Sequence, residues 1–552
     1  MPLLSAQDLC RRAEELKNEK SNWENLAQVC AKYCLPAKAQ ITTIKSEGER
    51  LSSEIYNSTP IEAAQIAAAG FQSYVASGRY FALEFADPEL NEDDEASEWL
   101  YEEQEGIYDT LNNSNYDEKN GPFFQDFVVL PGATKYSESD PEDIIRFENL
   151  PFEEVVIGVN ARGKVDELHR TFSYTVRQAY TRWPKTCGPT ITELYQKGKW
   201  QQRFKFLHSV GPRHERVIGK KGVLDMAFYS CYILLDDKHK RKVEEKGYND
   251  FPFNVGRWAT TTGQTWAYTP ASIGIADILM LNNMDMSVIM AGQQAVGPSW
   301  LFPHEDYVAP LNFNQNYLNF AIPQSVPGGG VRDWKPFPMV SGANMPIGLE
   351  LLEARENRIK RYFFNDLFLP LLEKNATAYE VAKTIEKRMG ILGGVIGGIT
   401  KNNLAHDINR TRIIRRAHPL LQGKLKPPPK QVQEQNVKIN FISPLVMAQK
   451  AAQEQNLEGF LAAVAQIMQV DPSARHKVKW DKAVDKMAKN RSIDPDVLTS
   501  DNQFKELVEA DRQAAANAQA IMMANAGGQA AQEVGAGREA LNPTKDRKKA
   551  KK

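Results

Sequence analysis

The sequence predicts an α+β chain built from several parts, and three observations predict it. Helical patterns, one amphipathic and one Ala-rich, dominate the first 75 residues. Aromatic and β-branched runs separated by turn signals fill Phe123 to Trp266. From Tyr268 to Gln422, two long helical segments flank an aromatic, Gly/Pro-rich excursion, and a charged helix follows. At 552 residues the chain is too long for one compact core, which favours three or four domains.

Ser5 to Tyr33 reads as the first helix. Leu9, Leu16, Trp23, Leu26, Cys30 and Tyr33 keep to one face, Ser5 with Asp8 offers a capping box, and Pro36 stops it. A second helix follows "YNSTP", where Ser58 or Thr59 caps and Pro60 sits in the first turn. Its Ala-rich body is narrow enough to let neighbouring helices approach closely. Tyr80 to Glu118 holds no Lys or Arg and reads as a solvated acidic face.

"FFQDFVVLPGATKY", "PFEEVVIGVNARGKVDELHRTFSYTV", "QRFKFLHSVGP" and "DMAFYSCYILLDD" read as strands, with a hairpin tip at "RG". Ser272 to Val296 is helical again, with Ile275, Ile278, Leu279, Met286, Ile289 and Met290 as its apolar stripe. Trp300 to Pro346 is a long ordered loop or small β module, and loops of that length tend to be functional. Pro346 to Phe368 is helical. Asn375 to Ala417 is a long helix opened by a Thr377–Glu380 capping box, able to span roughly 60 Å if unbroken. Gly390, Gly393, Gly394, Gly397 and Gly398 inside it predict a kink with close packing. "LKPPPKQ" is a stiff connector, short helices follow to Leu507, and the last residues lack apolar periodicity. From Lys545 on, six cationic side chains stand against Asp546, a local charge of about +5. Helix out, loop, helix back and lateral helix together suit one subunit of a ring around a channel.

Composition excludes some classes. Lys+Arg 68 against Asp+Glu 69 gives a net charge of -1, so the chain is no simple basic nucleic-acid coat. Near-neutrality is compatible with letting DNA slide past. The five cysteines have no zinc-site spacing and read as buried free thiols of a reducing compartment. No apolar run approaches the ~20 residues that cross a bilayer, and the charged N-terminal stretch is not a signal peptide, which predicts a protein made in a cytoplasm.

No catalytic pattern is present. The eight histidines form neither H-x-x-x-H nor H-E-x-x-H, and there is no G-x-S-x-G and no Walker sequence. No cofactor or metal is expected. The basic cluster Arg355, Arg358, Lys360 and Arg361 has two readings. One is a surface face paired with Glu350, Glu353 and Glu356 along its own helix, which is favoured for any single residue. The other is direct DNA contact, each charge repeating around a ring axis.

Several segments carry a resemblance. "WENLAQVCAKYCLP", "IYNSTPIEAAQIAAAGFQSYVASGRYFALEF", "YTPASIGIADILMLNNM", "AGQQAVGPSWLFP", "NATAYEVAKTIEKRMGILGGVIGGIT" and "HPLLQGKLKPPPKQ", in that order, resemble the head-to-tail connector (portal) proteins of short-tailed, podovirus-type bacteriophages. The likeness spans Trp23 to Gln431; the family often has Pro where this chain has "LGGVIGG". It implies a non-enzymatic ring subunit, expected as a dodecamer at one capsid vertex of the virion. It implies a wing over 1–267, a stem helix over 268–299, a clip over 300–345 and a second stem helix over 346–369. It further implies a tunnel loop and long wing helix over 370–430 and a helical crown over 431–520, while composition alone makes 521–552 a disordered basic tail. Lys374, Arg355, Arg358, Lys360 and Arg361 would line a DNA channel. Trp300, Phe302, Arg332 and Trp334 would belong to the clip that docks partners. Those partners would be the terminase large subunit and then a tail adaptor protein, with double-stranded DNA, major capsid protein and scaffold, and no membrane. The alternative is another virion structural or internal channel-forming protein; a scaffold would lack the β-rich middle.

Overall fold

The computed structural model describes residues 5–296 apart from 44–47, 50–52, 77, 88–89, 91–92, 214–215 and 217–221; then 300–301, 337–338, 345–368, 393–429, 437–442, 459–468 and scattered helical positions from 478 to 518. The chain divides into two compact units. One comprises Met1–Ala82, Glu103–Lys426 and Ile439–Gln449, the other Leu83–Glu102, Pro427–Lys438 and Lys450–Lys552.

Helix α1 (Ala6–Cys34) starts at the expected capping box: Asp8 N donates to Ser5 Oγ at 3.1 Å and Ser5 N to the Asp8 carboxylate at 3.3 Å. Its buried positions Leu9, Ala13, Leu16, Lys20, Ala27, Cys30 and Cys34 recur at steps of three, four or seven residues, so a lysine occupies the apolar seam. Helix α2 (Thr59–Val75) has Pro60 in its first turn and Ser58 as N-cap, without a side-chain cap bond. Close approach is real here. A Cβ on Gly70 would stand 2.5 Å from the Phe368 ring.

After strand β1 (Phe81–Phe85), helices α3 (Asp94–Asn113) and α4 (Tyr116–Val129) follow. The run "FFQDFVVL", expected as strand, is helical within α4. Phe123, Phe124, Phe127, Val128 and Val129 are all buried, and an apolar run closed in on several sides looks alike in helix and strand. Strand β2 (Ala133–Asp140) pairs antiparallel with β3 (Ile144–Leu150) and with a later strand, Phe253–Gly256.

The five-stranded antiparallel sheet is a meander of β4 (Val155–Val159), β5 (Val165–Thr175), β6 (Arg203–Pro212), β7 (Phe228–Leu234) and β8 (Lys242–Tyr248). Gly163 turns the β4–β5 tip with φ 73°, as the "RG" signal required. Alternation assigns the two faces. Phe206, Tyr232 and Leu234 pack with Val176, Trp183 and Ile191 of α5 (Val176–Arg182) and α6 (Pro189–Gln196). Leu207, Cys231 and Ile233 on the other face pack against Leu9, Cys10 and Ala13 of α1. Full burial of each large side chain is worth about 1.5–3 kcal/mol. His208 lies flat on Tyr232 with centroids 4.0 Å apart. Burial, with Arg182 nearby, holds its pKa well below the usual 6.5.

Strand β9 (Phe253–Gly256) leads to α7 (Pro270–Val296). Short strands β10 (Trp300–Leu301) and β11 (Phe337–Pro338) pair antiparallel, so a two-residue ladder joins the start of the aromatic, Gly/Pro-rich excursion to a point in its later part. Helix α8 (Met345–Tyr362) ends six residues before its expected limit at Phe368; α9 (Asn365–Phe368) is a separate turn. Phe364 between them has φ 59°, a left-handed conformation that breaks the helical path. Residues 393–398 are helical, Ile399–Leu404 forms a π-helix, and α10 (Ala405–Ala417) continues the path. The expected irregularity is thus a π-type insertion after the glycines. The expected close packing is absent among the described residues: a Cβ on Gly393, Gly394, Gly397 or Gly398 meets nothing within 4 Å. Gly390, Thr377 and Glu380 lie outside the described residues.

All five cysteines are buried and free. One expectation needs amending. Read as a helix, Pro270–Gln293 of α7 is long and apolar enough to cross a membrane by length and composition, with a mean hydropathy of 1.3. Asp277 and Asp285 interrupt the run in the sequence, but they are too few to offset its Ile, Leu and Met residues.

Candidate functional site

The α7–α8 helical pair is where the sequence concentrates its candidates. Thr269 and Ser272 open α7 by exchanging hydrogen bonds: Thr269 N donates to Ser272 Oγ at 2.7 Å, and Ser272 N to Thr269 Oγ1 at 3.3 Å. Thr269 Oγ1 also donates to Val129 O, tying the start of α7 to the end of α4.

Asp277 joins the two helices. Its carboxylate accepts from Arg355, takes the Tyr362 hydroxyl at 3.2 Å and stands 3.7 Å from Arg358. Gly274 makes room for the Tyr362 ring, which a Cβ would approach to 3.1 Å. Leu352 and Ile359 fill the buried side of α8. Farther along α7, Asn282 Oδ1 accepts from Tyr56 N at 2.8 Å and its amide donates to Glu54 O. Asn57 donates to both Asp285 and Glu356, at 2.8 and 3.1 Å. Residues 54–57 are therefore stitched along the helical pair.

This corrects one reading of the basic cluster. Arg355 pairs with Asp277 across the helices, and Glu350 and Glu353 form no ion pair with it along α8. Arg358 keeps 58 % of its side-chain surface exposed, and Arg361 keeps 76 % while standing 3.8 Å from Asp366. Lys360 is half-buried. The cluster thus divides into a fastener, Arg355, and two outward charges. Trp300 lies on β10 opposite Pro338. Phe302, Arg332, Trp334 and Lys374 lie outside the described residues.

On the side of α7 turned away from Gly274, Asp277 and Val288, the exposed positions are Ile273, Ala276, Met280, Asn283, Ser287 and Met290. Their steps of three and four are those of a helix–helix seam. Ile273, Met280 and Met290 are 58 %, 46 % and 49 % exposed, so the seam is apolar and open. On α8, Leu351, Ala354, Arg358 and Arg361 repeat the pattern, also exposed, with an apolar start and a basic end.

Sequence reasoning missed two buried charge clusters that fix α10. Lys135 is fully enclosed, its ammonium 2.6 Å from Asp407, 2.8 Å from Asn120 and 4.5 Å above the Tyr116 ring. Burial pushes the Asp407 carboxyl up, but Lys135 and His406 outweigh it and hold the group below its ordinary value. Glu103 meets Arg412, Arg415 and Arg416 at 3.5, 3.4 and 2.9 Å. The expected solvated acidic face is thus partly an internal anchor, with Glu103 6 % exposed. Glycine at 106 leaves room for the Arg415 guanidinium, which would lie 1.9 Å from a Cβ. The pairing of Gly106 with "RTRIIRR" is three hundred residues apart in sequence and has no local signal.

Among solved structures, the virion of a native gene transfer agent particle gives a TM-score of 0.33 at 11 % identity, covering 76 % of this chain and 92 % of that one. The neck of the native particle computed with C12 symmetry gives 0.32 at 10 %, covering 74 % and 88 %. Likenesses this slight define nothing further. In sequence, the probable portal protein of Bordetella phage BPP-1 is 25 % identical over 541 residues, 96 % of this chain and 95 % of that protein. The portal protein of Salmonella phage epsilon15 is 22 % identical over 534 residues, 95 % and 94 %. The family described as bacteriophage head to tail connecting protein matches residues 6–498, from the first turn of α1 through the helical pair and beyond α10. The chain therefore belongs to the bacteriophage family of head to tail connecting proteins.

Proposed function

We propose that this chain is the subunit of a closed ring at one capsid vertex, a portal through which double-stranded DNA is packaged and later ejected. The observation that carries the reading is the family match over residues 6–498, together with full-length relatives named portal proteins. The open seams on α7 and α8 support the ring. They differ in chemistry, one uncharged and one ending in Arg358 and Arg361, so copies joined through them meet head to tail. Such contacts build rings when the rotation closes. Twelve copies is the number we favour.

DNA carries about one negative charge per 1.7 Å of axis, so a bore dense in cations would hold it fast. A near-neutral subunit with a few outward arginines would guide it and let it slide. We place Arg358, Arg361 and Lys374 on the channel, with Lys360 beside them, and give Arg355 the task of holding α8 to α7. We assign the clip, with Trp300, Phe302, Arg332 and Trp334, to docking of terminase and then of a tail adaptor. ATP hydrolysis falls to the terminase partner in this scheme, and the chain itself carries no catalytic step.

Native mass spectrometry with negative-stain imaging of the purified protein tests the architecture. A closed ring of about a dozen copies with a central hole is the expected result. A closed dimer or trimer would overturn it.

A further inference from the structure

A cleft of 180 Å³ lies where α1 meets the β4–β5 hairpin and the 263–266 loop. Its walls include Leu16, Trp23, Ile157 and Trp266, and its polar groups include Glu19 and Gln264. This is smaller than the roughly 300–1,000 Å³ of sites for drug-sized ligands and suits the head of one side chain.

Both indoles are held in place. Trp23 packs on Tyr268 with centroids 4.9 Å apart, and Trp266 is 4 % exposed against Phe152, also at 4.9 Å. The polar groups offer open acceptors. Gln264 Oε1 is buried with no hydrogen-bond donor. Glu19 is exposed, and although Arg12 lies near enough to feel its charge, the two make no ion pair within 4 Å. Two acceptors and two indole faces ask for a ligand rich in N–H donors and positive charge. Carboxylates and phosphates bring only more acceptors. Behind the cleft the chain already uses this preference: the Lys20 ammonium lies 5.3 Å from the Trp266 ring and 3.9 Å from the Phe152 ring. Lys20 is neutralised by Glu24 at 3.2 Å, and Arg12, which feels the Glu19 charge, is itself bound to Glu167 at 3.2 Å, so neither cation is seated on Glu19.

We propose that this cleft is a receptor for an arginine side chain presented by a protein partner, its guanidinium lying against Trp23 and Trp266 and donating to Glu19 and Gln264. A planar guanidinium has five donors and can serve two separated acceptors while stacking, which an ammonium cannot do as well.

The test is calorimetric titration of the full-length protein with N-acetyl-arginine methylamide, and with the citrulline analogue of the same shape but no charge. Saturable binding of the arginine probe is expected, with the citrulline probe at least about tenfold weaker. Glu19→Gln and Gln264→Leu should each weaken the arginine probe several-fold, and thermal melts would establish that both variants fold. Equal binding of the two probes, indifference to both folded variants, or no saturation by about 10 mM probe would overturn the assignment.

Discussion

At the scale of single residues, the informative positions are those where a charge or a glycine sits against expectation. Lys20 fills an apolar step of α1, its ammonium donating to Phe152 O beside Glu24. Burial lowers its pKa from 10.5 to about 8, against the raising pull of Glu24. Between those two values the unfolded chain holds a proton that the folded chain has released. Stability contributed at this site therefore rises as pH climbs from 8 to 10.5, by about 3 kcal/mol at most. Lys20→Met should flatten that rise and be neutral or stabilising at pH 7; denaturant unfolding at pH 7 and pH 9.5 checks both. An unchanged slope would contradict the buried-lysine account. Gly106 is the second such residue. Gly106→Ala would meet only the swinging tip of Arg415, so its cost in chemical denaturation is that of moving the guanidinium off Glu103, offset by the roughly 1 kcal/mol that Ala gains over Gly inside α3. Gly393→Ala, facing open space in a helix, should be neutral or stabilising in the same assay.

At the scale of elements, the α7–α8 pair depends on one carboxylate. Asp277→Asn keeps the shape but leaves Arg355 half-buried without its counter-charge, and should cost about 1–3 kcal/mol of local stability. Hydrogen exchange in α8 should rise while exchange in the five-stranded sheet stays unchanged. Met280→Glu on the open seam should leave the isolated subunit's melting point nearly unaltered yet prevent ring formation, read by native mass spectrometry. Rings that persist would remove the seam from the assembly. Much of this was legible beforehand. Ser5–Asp8, Gly163 and the β-branched runs of β5 and β7 are local signals that the structure honours. "FFQDFVVL" was not, because an apolar run enclosed by its neighbours loses the periodicity that tells helix from strand. The end of α8 was not, because Phe364 adopts a left-handed turn that no residue type there announces. The Asp277–Arg355 and Lys135–Asp407 pairs were not, because each joins segments far apart in the chain.

At the scale of the whole molecule, net charge and local charge play separate parts. The subunit sums to -1, so any field along a ring's axis comes from placement rather than from total charge. Arg358→Glu with Arg361→Glu should leave ring assembly intact and lower the amount of DNA packaged, with the largest effect at low salt. Full DNA content and normal infectivity in that double variant would remove these arginines from the channel. The five cysteines have a different use at this scale. Each is enclosed, and burial pushes the Cys30 thiol up to about 12 and the Cys231 thiol up to about 11, far from the reactive thiolate form. Toward maleimides the folded native chain is therefore chemically silent. One cysteine introduced at a chosen surface position would become the sole reporter, so neighbouring copies could be mapped by fluorophore pairing or crosslinking without first stripping the wild-type thiols.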